Sequence, residues 1–500
     1  MAEVIMSIEK PNILIIMADQ MTASLMGAYG HKIVKTPNLD KLCEEGIRFD
    51  NAYTPCPLCA PARASMMAGK LISKLGTYDN GTLFPGNIPT FAHMLRSNDY
   101  EVVCSGKMHY VGPDQLHGIE RRLTTDIYPS SFGWVPDWQR DREDGIQNAQ
   151  GKIAENTGVA NWTRQLNYDE EVQAKALEFL RTRIVDTFNR KDELRPFCLF
   201  TSFTHPHSPF RITEDYFNQY ANCEVEIPVT KEEAKDSEIE MDQWIRDYAG
   251  ISDDILKDSK KMATMRRAYY GMITYVDDKV GELLDTLDKF NLRKNTAIFF
   301  TSDHGEMLGE RGLIEKRIFY ENSARIPLIA SFPKEWQQGK IDTSPVSLVD
   351  FFPTLAEFCG ESIPENLDGT SFLSNLKEAQ SVDQDRVVFS EYHGEGVLKP
   401  CFMARDKRYK YIKIHDGGEQ LFDLQEDPNE LKNLIDDDSC KEMYNKFKKL
   451  ISEKFDSKAI EKDVIEKQQF SKYIHSALSH GENNQWDHCP VYPGKTMYER

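Results

Sequence analysis

Four apolar runs in this chain each stop on an acid or a base, and that pattern constrains the fold more than any other feature. Asn12–Ala18 delivers Asp19 and Gln20, and Glu101–Cys104 leads to Lys107 and His109. Phe197–Phe203 leads to His205 and His207, and Ala297–Thr301 to Asp303, His304 and Gly305. Near-continuous apolar runs of this length predict strands buried on both faces, as in a mostly parallel sheet covered by helices. The intervening patterns agree. Thr36 and Pro37 open a helix that Gly46 closes. From Met262 to Phe290, Tyr269, Met272, Ile273, Val276, Val280, Leu283, Leu284 and Leu287 recur at helical spacing, with Asp277, Lys279 and Glu282 expected to point away. In such sheets ligands collect beyond the carboxyl ends of the strands, so the four polar termini are the first candidates for a site. A lone histidine in such a place is more often a satisfied buried residue than a ligand; four like endings together point to chemistry.

At 500 residues the chain exceeds the ~250–300 residues one core usually supports. An α/β domain over residues 1–375 is expected, followed by a smaller α+β subdomain over 376–470 and an aromatic tail over 471–500. The boundary rests on a helix from Val349 to Cys359 and a polar linker from Glu361 to Asp383. Strands then follow at Arg386–Tyr392, Phe402–Arg405 and Tyr409–His415, with a turn at Asp406-Lys407 and helix-rich sequence from Pro428 to Phe470. A formal charge of -19 disfavours contact with nucleic acid. No run approaches the ~20 apolar residues of a membrane span. Asn12–Ala18 is too short for a leader segment, and the ten cysteines form no secreted-type framework. A cytoplasmic protein with no membrane partner is the expectation. Cys56 and Cys59 make a CxxC crowded by Pro57 and Pro61, without a second pair to complete a zinc site.

Asp19, Gln20, Asp303 and His304 offer hard oxygen donors with an imidazole beside them, a set suited to Ca2+ or Mg2+ rather than Zn2+. The segment Cys59-Ala60-Pro61-Ala62-Arg63-Ala64-Ser65, followed by Gly69, is more specific. It resembles the signature of the sulfatase family, in which that cysteine is oxidised by a maturation enzyme to formylglycine. The aldehyde hydrates to a gem-diol: one hydroxyl attacks the sulfur of a sulfate ester, and the other then expels the sulfate and restores the aldehyde. A serine, with a single hydroxyl, could not do this. Cys59 would precede a helix beginning near Pro61, whose dipole, with Arg63, favours a bound anion.

Further stretches extend the resemblance over nearly the whole chain: Thr36-Pro37-Asn38-Leu39-Asp40, Gly106-Lys107-Met108-His109, Pro206-His207-Ser208-Pro209, Ser302-Asp303-His304-Gly305-Glu306 and Leu421-Phe422-Asp423-Leu424. The resemblance implies an alkaline-phosphatase-like fold and a metal held by Asp19, Gln20, Cys59, Asp303 and His304. It implies sulfate gripped by Lys107 and Lys316, and protons managed by His109 and His207, with His205 an alternative to the latter. Gln20 stands where many sulfatases carry another Asp, which lowers the negative charge at the metal by one.

Within the family, Met17–Gln20, Gly106–Gly118, Thr124–Pro129, Phe132–Trp138 and Glu391–Gly396 resemble the choline-ester branch. A quaternary ammonium is held by an aromatic face and a nearby carboxylate. Trp134 with Glu391 or Glu395 could provide both, with Asn80 lining the same pocket. On residue type alone, Trp134 and Trp138 read equally well as partly buried loop tryptophans. The resemblance implies hydrolysis of choline-O-sulfate to choline and sulfate. Alternatives are a carbohydrate or aryl sulfatase, a phosphonate monoester or phosphodiester hydrolase, and a silent anion-binding homologue if Cys59 stays unoxidised. Trp486, Tyr492 and Tyr498 in the tail suggest subunit contacts, hence a homodimer or homotetramer.

Overall fold

Strand β1 (Asn12–Ala18) runs through the middle of an eight-stranded sheet and carries no exposed residue. Its side chains alternate between two cores. Leu14, Ile16 and Ala18 pack with α1 (Pro37–Glu44), α3 (Arg164–Arg190) and α4 (Ser259–Lys289). Ile13, Ile15 and Met17 pack on the opposite face with α2 (Cys59–Ala68) and α5 (Phe351–Phe358). The result is a sheet sandwiched by helices, as expected of a strand apolar at every position. The computed structural model describes residues 10–127, 131–144, 156–190, 194–250, 256–333, 335–377, 385–482 and 486.

The remaining strands of the sheet are β2 (Ile47–Phe49), β3 (Glu101–Gly106), β4 (Arg121–Arg122), β5 (Phe197–Ser202), β6 (Thr296–Ser302), β7 (Leu328–Ser331) and β8 (Lys340–Asp342). Their spatial order is β8-β2-β7-β6-β1-β5-β3-β4. All pairings are parallel except those of β7, which runs antiparallel to both β6 and β2. Register is what builds the site. Ala18 pairs with Ser302, Met17 with Ser202, and Gly106 with Ser202, so the residues that follow these strands emerge side by side.

A four-stranded antiparallel sheet of β9 (Val388–Tyr392), β10 (Cys401–Arg405), β11 (Tyr409–Ile414) and β12 (Glu419–Asp423) forms the C-terminal unit, backed by α6 (Lys441–Lys454) and α7 (Ser457–Leu478). The strand β12 was not expected from the sequence. The joint to the first sheet is polar and buried. Lys410 on β11 meets Glu321 at 2.6 Å and Glu430 at 2.8 Å and donates to the Phe319 carbonyl, and Arg405 donates to the Tyr53 hydroxyl at 2.8 Å.

Three expectations change. Asp277 and Lys279 are buried rather than turned to solvent; Asp277 accepts from the amides of Asn38 and Leu39 and so satisfies the start of α1, which Thr36 does not cap. The polar linker contains a short helix, Leu373–Lys377, and buries Phe372, Leu373 and Leu376 in the second core. Finally, α7 runs across position 470, so residues 471–478 of the expected tail are helical. Trp486 packs edge-on against Phe132 of its own chain at 4.9 Å, while Tyr492 and Tyr498 lie outside the described residues. Among the described residues no helix is long and apolar enough to cross a membrane.

Candidate active site

The level ends of β1, β6 and β3 place Asp19, Asp303 and Lys107 together, and α2 brings Cys59 and Arg63 over them. Helix α2 starts at Cys59 itself, earlier than the expected Pro61. Its buried first-turn amides are partly satisfied: the Ala60 N–H donates to Asn80 Oδ1 at 3.1 Å, and Pro61 has no N–H to satisfy. Gly69, at φ 65, closes the helix in the left-handed region that favours glycine.

Asp19, Cys59, Asp303 and His304 are buried, and each offers one donor atom within 4.8 Å of the others. Cys59 Sγ lies 3.1 Å from His304 Nε2 and 3.8 Å from Asp19 Oδ1. His304 Nδ1 lies 3.0 Å from the Gly305 carbonyl and so carries the proton, leaving the Nε2 lone pair aimed at the cluster. That is the arrangement of a metal-binding histidine, whose second nitrogen donates to a carbonyl. Burial lowers the His304 pKa, which also favours the neutral ring. Two carboxylates, a neutral imidazole and residue 59 fit a divalent cation.

Arg63 does not face the cavity as an anion ligand. Its Nε donates to Asp303 Oδ2 at 2.9 Å and its Nη2 to Asp19 Oδ2 at 3.2 Å, while Nη1 donates to the Lys107 carbonyl and Ser202 Oγ. It therefore ties four strand ends together. Burial would raise the Asp19 carboxyl, yet the charges of Lys107 and Arg63 beside it hold it well below the ordinary range. Gln20, at φ 66, has its side chain engaged elsewhere: Oε1 accepts from Lys316 Nζ and Nε2 donates to Glu306.

A cavity of about 790 Å³ opens over this cluster. Cys59, Lys107, His109, His207 and Lys316 line its floor, and Asn80, Trp134 and Glu395 line its wall. Lys107 Nζ reaches Asp19 Oδ2, and Lys316 Nζ donates to His207 Nε2 at 2.8 Å. Because His207 Nε2 accepts from that ammonium, the ring proton sits on Nδ1, which donates to the Ser208 carbonyl at 2.6 Å. Burial and the Lys316 charge push the His207 pKa well below its ordinary value, so the ring is neutral. Trp134 is 45% exposed and meets the His109 ring edge-on at 5.9 Å. Trp138 is fully buried and donates to the Gly394 carbonyl, which is a scaffold role.

The pattern described as Sulfatase matches residues 11–361. The chain belongs to the sulfatase family. The N-sulphoglucosamine sulphohydrolase C-terminal pattern matches 309–457, across Lys316 and the second sheet. A choline-sulfatase of Rhizobium meliloti (strain 1021) is 39% identical, covering 99% of this chain and 96% of the relative. An arylsulfatase of Clostridium perfringens is 30% identical over 88% of this chain and 94% of its own. Among solved structures, the phosphonate monoester hydrolase of Agrobacterium radiobacter superposes with a TM-score of 0.71 at 23% identity, covering 89% of this chain and 95% of that one, which shows the shared alkaline-phosphatase-like fold.

Two residues expected to bind substrate in this sulfatase do not line the cavity. Glu391 is buried against Ser73 and His393, its oxygens taken by the Ser73 amide and hydroxyl and by His393 Nε2. His205 is buried behind the floor with Nδ1 at 2.6 Å from Asp169. Sequence reasoning passed over Asp79, Glu315 and Arg317. Glu315 accepts from Ser208 Oγ at 2.7 Å, and Arg317, beside Lys316, reaches Glu395 at 3.5 Å. Asp79, next to Asn80 in the chain, is buried, and burial together with Glu395 pushes its pKa up to about 7. The position of Glu315 and Arg317 on either side of Lys316 was the one available signal.

Proposed function

We propose that this sulfatase hydrolyses a small cationic sulfate ester, with choline-O-sulfate the substrate its cavity suits best and formylglycine at position 59 as nucleophile. One observation carries the reading: a single cavity joins a floor of Cys59, Lys107, His109, His207 and Lys316 to a wall of Asn80, Trp134 and Glu395. The floor offers two ammonium groups and the start of α2 to an anion. The wall offers an indole and a carboxylate to a quaternary ammonium. The resemblance to a choline-sulfatase over nearly the full length supports the same substrate.

Asp19, Asp303, His304 and residue 59 would hold a calcium or magnesium ion, which would supply Lewis-acid polarisation of the sulfate. Hydrated formylglycine would supply a hydroxyl nucleophile where the cysteine now stands. Lys107 and Lys316 hold sulfate oxygens by charge-assisted hydrogen bonds. Neutral His207 would accept at Nε2, once Lys316 turns to the sulfate, the proton given up by the hydrated residue 59. His109, next to Trp134, donates a proton to the departing alcohol oxygen on the cationic side.

The test compares kcat/KM for choline-O-sulfate, 4-nitrophenyl sulfate and a phosphodiester, using protein co-expressed with a formylglycine-generating enzyme. The choline ester should be preferred. Better turnover of the phosphodiester would overturn the sulfate reading, and better turnover of the aryl ester would overturn the choline reading alone.

A further inference from the structure

After the edge strand β4 the chain folds back over the carboxyl end of β3 and is fastened there residue by residue. The Leu123 amide donates to the Cys104 carbonyl at 2.8 Å, and Thr124 Oγ1 accepts from the Gly106 amide at 2.9 Å. Asp126 completes the clamp. Its Oδ2 accepts from two consecutive amides, Met108 at 3.0 Å and His109 at 2.7 Å, and from Arg122 Nη2 at 2.7 Å. Arg122 is itself tied to the carbonyl and the side-chain oxygen of Gln115. The Arg122 and Asp126 side chains are only 4% and 6% exposed, so the clamp is shielded from water.

His109 needs such a clamp. Its φ is 57, in the left-handed region that a side chain disfavours, and its ring lines the cavity beside Trp134. A non-glycine residue stays there only when its surroundings over-determine the backbone. The amides of Met108 and His109 both point at one carboxylate oxygen, and that fixes the turn. Without it, the His109 amide would lose its acceptor in a buried place and the turn would relax toward negative φ, swinging the ring.

We propose that Asp126 is a positioning residue for His109: its carboxylate holds the turn that aims the imidazole at the leaving-group side of the cavity. This rests on the reading of His109 as proton donor to the departing alcohol, and the experiment separates the two. An alkyl sulfate has a poor leaving group that needs a proton, whereas 4-nitrophenolate leaves without one. Turnover of both esters is compared in the parent enzyme, His109→Ala, Asp126→Asn and the double variant.

In Asp126→Asn, kcat/KM for the alkyl ester should fall about 100-fold, the scale of a roughly 1 Å misplacement, and the aryl ester should change less than about threefold. Adding Asp126→Asn to His109→Ala should cost nothing further, because the two act through one group. Arg122→Met removes the other partner of the same oxygen and gives a second reading if Asp126→Asn folds poorly, with the same selectivity at about tenfold. If His109→Ala discriminates between the esters while Asp126→Asn and Arg122→Met slow both alike, the positioning role is overturned and the role of His109 stands. If His109→Ala itself slows both alike, the reading of His109 fails and this proposal fails with it.

Discussion

His304 presents Nε2 to Cys59 Sγ at 3.1 Å while its Nδ1 is held by the Gly305 carbonyl at 3.0 Å. The imidazole is thereby oriented before any ion binds, with a lone pair facing the same small volume as the two aspartates. Chelation should therefore abolish turnover, and calcium or magnesium should restore it. The Tm of the chelated protein should rise on adding back the effective ion, because a ligand that binds only the folded state stabilises it. An unchanged Tm and full activity after exhaustive chelation would sink the metal assignment.

Residue 59 must reach the aldehyde state for the proposed chemistry. Intact-protein mass after co-expression with the maturation enzyme should be lower by about the mass of a water molecule, and Cys59→Ser and Cys59→Ala should both lack multiple turnover. Sustained turnover by Cys59→Ser would rule out the diol mechanism.

Trp134 forms the half-exposed aromatic wall of the cavity. Cation–π contact is worth ~0.5–2 kcal/mol, so Trp134→Ala should raise KM for choline-O-sulfate by roughly 2- to 30-fold. KM for an aryl sulfate should barely move. An equal rise for both substrates would show that the indole only shapes the cavity.

Asp79, pushed up to about 7 by burial and by Glu395, loses its proton near neutral pH. The sign follows directly. Below that value the carboxyl is neutral; above it a negative charge joins that of Glu395 and strengthens the attraction for a cation. KM for the cationic ester should fall as pH rises through this range, and Asp79→Asn should flatten the change while leaving an uncharged ester unaffected. A KM profile identical in the parent and Asp79→Asn would remove Asp79 from substrate recognition.

Lys410 joins the two sheets through Glu321 and Glu430 with no exposure to solvent. Lys410→Met leaves those carboxylates buried without their cation, which typically costs about 3–5 kcal/mol. Urea unfolding should show that loss as a lower midpoint. A midpoint equal to the parent's would mean that water or Arg405 replaces the lysine.

Much of the site was legible because each central strand is apolar along its whole length and then stops: the end of an apolar run marks a strand end, and strand ends are where a parallel sheet gathers its chemistry. Asp19, Lys107, Asp303 and His304 were found this way. Glu391 was misplaced because it lies within β9, where side chains alternate between faces, and neighbouring residues do not reveal which face looks into the cavity. Asp277 was assigned to solvent because helical periodicity ranks a carboxylate as polar, whereas the amides of α1 stand opposite it and require an acceptor. The Thr124–Pro129 stretch carried Asp126 but gave it no role, since two of its partners are backbone amides, which any residue supplies.

The order of residues alone determined the buried strands, the helices between them, the Cys59–Arg63 signature and hence the family, because these depend on local periodicity and on near neighbours in the chain. Tertiary structure decided what each polar side chain faces. It turned Arg63 to the aspartates, drew Gln20 to Lys316 and Glu306, sent His205 behind the floor and left His207 on it. Those outcomes depend on contacts between residues far apart in the chain, set by the register of parallel strands, and no local pattern encodes that register.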